Sequence, residues 1–181
     1  EGGKRAGWGA KTIPSGGYLV VGRDATRAEF ALQFPSLPAG AGYLNSNADG
    51  SCSAGCFPQV NGGESFELYD ASNVKKDGAT IAMSTDLAYQ RNNPGDPPGA
   101  SGSWSVVAES LANPGQGAGS GSASGVRTNE MSDAPDFNKE FVELFYDAAP
   151  PVPDLVAPAP VVDLVASPQT SISIVLVWTA H

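Results

Sequence analysis

Short apolar runs, each closed off by Gly, Pro, Asn or Asp, repeat along the chain and predict an all-β protein of the sandwich or barrel kind. Tyr18-Leu-Val-Val21 follows the turn-forming Pro14-Ser-Gly-Gly17. Residues 65–69 alternate, with Phe66 and Leu68 on one face and Glu67 and Tyr69 on the other, as a half-buried strand requires. Weaker strand patterns cover 79–83, 104–107 and 126–131. Residues 139–146 carry apolar side chains on both faces, which predicts a central strand. Only 24–34 reads as helical, with Ala28, Ala31, Leu32 and Phe34 along one side, Asp24 as N-cap and Pro35 as the stop.

Two low-complexity stretches punctuate this pattern. Residues 113–125 have the Gly/Ser composition of a flexible tether, whereas the proline-rich 148–160 favours extended, stiffer geometry. Two further strand patterns follow, 161–166 and 171–178, split by Ser167-Pro168.

Composition narrows the class. With 22 Gly and 15 Pro in 181 residues, a mostly helical protein is excluded, and the 41% hydrophobic share is enough to build a core. A formal charge of −9 opposes binding to nucleic acid or an anionic lipid surface. The basic residues (Lys4, Arg5, Lys11, Arg23, Arg27, Lys75, Lys76, Arg91, Arg127 and Lys139) are scattered along the sequence rather than clustered. No apolar run reaches the ~18–20 residues of a membrane span, so no membrane insertion is expected. Residue 1 is Glu with no signal-peptide pattern behind it, so an exported chain would be a mature form or an excised fragment.

Cys52 and Cys56 lie among small, turn-forming residues and read as a local disulfide, which implies an oxidising, extracellular compartment. Two free thiols are the bland alternative. A structural zinc would need four ligands, and the sole histidine is His181.

The same histidine count argues against a Ser-His-Asp triad, and no catalytic residue is expected. The carboxylate pairs Glu64/Glu67, Asp133/Asp136 and Glu140/Glu143 sit three residues apart, a spacing that points them to opposite faces of a strand. They read as solvated rim charges. Residues 45–50 (Asn-Ser-Asn-Ala-Asp-Gly) faintly suggest a calcium loop but lack EF-hand spacing; no cofactor is expected, and calcium stays open. Gly115-Gln-Gly-Ala-Gly119 lacks the strand-to-helix context of a phosphate loop and reads as linker. Trp8, Trp104 and Trp178 could form a sugar-stacking platform, but the alternating runs around Trp104 and Trp178 favour core positions.

The succession Ile13-Pro-Ser-Gly-Gly-Tyr-Leu-Val-Val21, Asn61-Gly-Gly-Glu-Ser-Phe-Glu-Leu-Tyr-Asp70, Gln90-Arg91, Ser103-Trp104 and Asn113-Pro-Gly115 resembles the bacterial lamin-tail family. That resemblance implies an immunoglobulin-like β-sandwich. The family's opening strands look like Asn129-Glu-Met131 and Glu140-Phe-Val-Glu-Leu-Phe-Tyr146, which come late here and imply a permuted domain over 1–148, with 126–148 folding back. The alternative is two partial domains. Beyond the spacer at 149–160, residues 161–181 resemble the first two strands of a fibronectin type III domain. Two strands cannot bury their own apolar residues, so they must pair with the sandwich, with another chain or with a longer protein.

The expected fold is thus an immunoglobulin-like sandwich with one short helix and an extended proline-rich β tail. The expected function is a non-catalytic, secreted bacterial structural or adhesion module that joins copies of itself by strand addition, to the point of a cell-surface filament. The assembly residues would be Ile172, Ile174, Val175, Leu176, Val177 and Trp178. Two other readings stay open: an accessory surface- or substrate-binding domain of a larger secreted hydrolase, and a calcium-dependent binder of carbohydrate.

Overall fold

The computed structural model describes residues 4–49, 62–117, 125–148 and 172–179, and these residues are mostly β-sheet. One sheet has four strands, in the order β1 (Lys4–Lys11), β10 (Ile172–Thr179), β4 (Ser65–Asp70), β5 (Lys75–Gly78). The other has six: β3 (Gly42–Asn45), β2 (Gly17–Gly22), β9 (Phe141–Asp147), β8 (Gly125–Asp133), β6 (Leu87–Arg91), β7 (Trp104–Ala108). All pairings are antiparallel except the parallel β2–β3.

Alternation places the main core between the sheets. Trp8, Phe66 and Leu68 from the four-stranded sheet meet Leu19, Val21, Tyr89, Trp104, Met131, Val142 and Leu144 from the other, all buried. The central strands β2 and β9 are buried on both faces, because Val20 and Phe141 point outward against Phe30 and Phe34 of a helical segment. Phe141 meets both rings at 5.5 Å, edge-on to Phe30.

That segment is α1 (Arg27–Gln33), shorter than 24–34 and capped by Thr26, not Asp24. Thr26 and Glu29 form a reciprocal capping box, which satisfies two otherwise orphaned groups at the helix start. Its buried side is Phe30 with Phe34, an i,i+4 pair, and Leu32 is 80% exposed. The expectation of a single helix also needs correction: a one-turn α2 (Ser46–Asp49) follows β3.

Residues 79–83 are not a strand. Thr80 and Met83 donate backbone bonds to Phe66 and Glu64, and Ile81 bonds to Pro98, so Ile81 and Met83 pack against the core from an irregular segment beside the start of β4. The strand lies just before it, at β5, where a Cβ on Gly78 (φ +93°) would collide with the Phe66 carbonyl.

One buried ion pair ties the sheets together. Asp77 of β5 accepts from Arg91 of β6 at 2.7 Å, with the two side chains 4% and 1% exposed. The same Asp77 oxygen accepts the Thr128 N–H at 2.8 Å, beside the register shift in β8. Arg91 also donates to the Thr128 and Asp96 carbonyls and lies 5.7 Å from the Trp104 ring.

Arg91→Met alone leaves the Asp77 carboxylate buried without its cation. It should lower unfolding free energy by about 3–5 kcal/mol in urea titration, and Asp77→Leu with Arg91→Met should recover much of that loss.

Candidate functional site

The six assembly residues all fall in β10, which is an inner strand rather than an appended tail. It pairs on one side with β1, from Lys4↔Trp178 to Lys11↔Ile172, and on the other with β4, from Ile174↔Asp70 to Thr179↔Ser65. Register positions 174, 176 and 178 stand opposite Trp8, Ala6 and Lys4 on β1 and Asp70, Leu68 and Phe66 on β4. Its backbone therefore serves as the partner of both neighbours. The strand pattern at 161–166, the spacer at 149–160, and Cys52 and Cys56 lie outside the described residues.

The carboxylates expected at the rim are largely inside. Glu64, Asp133, Glu140 and Glu143 are buried. Glu140 is neutralised by Arg23 at 2.8 Å. Glu143 instead stands directly across from Glu130 in the β8–β9 register, with both carboxyl groups on the outer face of the six-stranded sheet.

Residues 112–117 close over this pair. Glu130 Oε1 accepts from Asn113 N at 3.0 Å and Gln90 Nε2 at 3.1 Å. Glu143 accepts from Asn129 Nδ2 at 2.6 Å and from the Gly115 N–H. Gly115 sits at φ +83°, where a Cβ would strike Pro38, so only glycine brings its N–H to this point. Gln116 adds a 2.9 Å bond to the Ser36 carbonyl. The first part of the supposed tether, 113–117, is thus held in place by buried carboxylates, whatever its composition suggests.

Burial pushes Glu143 up to about 8, reinforced by the Glu130 charge and opposed by its hydrogen bonds. Burial likewise pushes Glu130 up to about 7 against the bonds from Asn113 and Gln90. Glu130 Oε2 has no hydrogen-bond partner among the described residues, so a proton is accommodated there without breaking a bond.

Trp8 and Trp104 are buried in the core and offer no stacking platform, in line with the pattern around Trp104; the Trp178 side chain is outside the description. In the stretch 45–50, the Asn45 side-chain oxygen accepts from Asn47 N and Ala48 N, so it caps α2 instead of facing a cation. No group of three or more potential metal ligands occurs among the described residues. Comparison with protein-family models, curated proteins and solved structures returns no match for this chain.

Both carboxyls are weaker acids in the fold than their ordinary value of 4.5, so the folded chain holds more protons than the unfolded one. Stability should fall as pH rises from about 4.5 through about 8 and then level off. Glu130→Gln keeps both accepted bonds and removes one charge. Thermal melts should show a shallower pH dependence in this variant and a higher Tm than the parent at the alkaline end of the window.

Proposed function

We propose that this chain is a non-catalytic extracellular structural or adhesion module, an immunoglobulin-like sandwich of the lamin-tail kind, whose copies assemble through the strand at 172–179. The observation that carries this reading is the position of β10 between β1 and β4. A strand from a second copy would make the same main-chain bonds in the same register, so exchange between chains needs no new contact. The connecting residues 149–171 can span at most roughly 80 Å, ample reach for a neighbouring molecule.

The lamin-tail kinship is supported by where its motif segments meet. Tyr18-Leu-Val-Val21 is in β2, Gln90-Arg91 in β6 and Trp104 in β7, and the late segments 129–131 and 140–146 supply β8 and the run into β9 between them. Late and early strands therefore share one sheet, as a permuted domain requires. The extracellular placement rests on the Cys52/Cys56 pair and on a charged share of 16%, low for a soluble intracellular domain. Head-to-tail exchange does not close on itself and extends into a filament.

Exchange is read out by cross-linking. With Cys52 and Cys56 replaced by Ser, one chain carries Ala10→Cys and another Ser173→Cys, positions that face each other in the β1–β10 register. Mixing the two should give a covalent dimer on oxidation, and in sedimentation the full chain should assemble with rising concentration while a chain ending at Pro150 should not. A disulfide that forms only when both cysteines are on one chain, or assembly unchanged by the truncation, would contradict the proposal.

A further inference from the structure

The basic residues are dispersed in sequence, yet Lys75, Lys76, Arg91 and Arg127 converge on one cleft of about 320 Å³ at the edge of the two sheets. Four of the ten cations of a chain with net charge −9 line this single concavity. Two carboxylates, Asp77 and Asp96, share the lining, and both are engaged. Asp77 is committed to Arg91 and the Thr128 N–H, and Asp96 accepts from Asn93 Nδ2 at 3.1 Å. The lining itself therefore counts four cations against two carboxylates.

Lys75 and Lys76 are paired outward to Glu67 at 3.1 Å and Asp70 at 2.8 Å, but their side chains remain 49% and 41% exposed. Exposed pairs of this kind contribute about 0–1 kcal/mol, so a ligand anion competes for them readily. Arg127 is oriented by bonds from its Nη1 to the Lys76 and Val126 carbonyls.

The opposite wall is preformed. Pro94, Pro97 and Pro98 have restricted backbones, and the loop that carries them is held by Trp104 Nε1 on the Pro98 carbonyl at 2.8 Å and by Arg91 on the Asp96 carbonyl. A rigid wall removes an ordering cost from binding. The volume is at the lower end of the ~300–1,000 Å³ typical of small-molecule sites, larger than a lone oxyanion needs and far too small for a nucleic-acid duplex.

We propose that this cleft binds a small acidic sugar, with its carboxylate or sulfate held by Lys76 and Arg127 and its ring against Pro94, Pro97 and Pro98. The site is independent of strand exchange, and its failure leaves the assembly reading untouched.

Titration calorimetry on the full chain tests it with three probes: digalacturonate, a sulfated disaccharide, and sodium sulfate alone. One or both saccharides should bind saturably and more weakly as salt rises. Lys76→Ala with Arg127→Ala should weaken binding about tenfold or more. Lys76→Arg with Arg127→Lys should retain binding, which separates charge from misfolding, and Lys139→Ala, outside the cleft, should leave it unchanged. The saccharide that binds identifies the anionic group. Sodium sulfate binding as tightly as the sugars would overturn the sugar assignment. No saturable binding by either saccharide, or binding that survives the double alanine variant, would overturn the site.

Discussion

Neighbouring strands lie roughly 4.7–4.9 Å apart, so β1 and β4, which flank β10, stand about two spacings from one another and cannot bond directly. The four-stranded sheet depends on a segment that arrives from much later in the sequence. Without it, β1 is a lone strand and β4–β5 a hairpin, and neither arrangement is stable alone in water. Trp8, buried on β1, and Phe66 and Leu68, buried on β4, then lose the framework that holds them over the six-stranded sheet. A dependence of this kind makes one strand both a structural requirement and a natural point of contact between copies.

Polar groups inside the protein do comparable positioning work. Asp77 and Arg91 fasten the sheets at one edge, and the register shift at Thr128 releases an N–H that completes the carboxylate's shell. On the far face, Glu130 and Glu143 capture the N–H groups of Asn113 and Gly115, fixing a glycine-rich segment that has little to bury. The cost is two carboxyls forced together out of water, expressed as raised proton affinity. Asp77 and Arg91 also line the cleft, so one interaction both holds the sheets together and contributes to a surface.

Legibility in the sequence followed the strength of the local signal. Alternation located Phe66 and Leu68, and the two-faced apolar run located β9 as a central strand. Strands β1 and β3 passed unseen, because Lys4–Lys11 alternates only the small Ala6 and Ala10 with Trp8 and Gly42–Asn45 is four residues long. The helix is capped by Thr26 rather than Asp24, although the Thr-x-x-Glu spacing of its capping box stands in the sequence at 26–29. The Glu130/Glu143 pair and the gathering of Lys75, Lys76, Arg91 and Arg127 were invisible for a different reason. Both are products of cross-strand register and topology between residues far apart in the chain. A buried carboxylate and a rim carboxylate look alike until the strands are paired.

Amide hydrogen exchange on the full chain tests most directly whether β10 holds the four-stranded sheet together. The amides of Ile172–Thr179 that bond within the sheet should be protected to the same degree as those of β1 and the β10-facing side of β4, and all three should open as one unit. Rapid exchange across Ile172–Thr179 while β1 and β4 stay protected would show that the sheet stands without that strand, and would contradict the account.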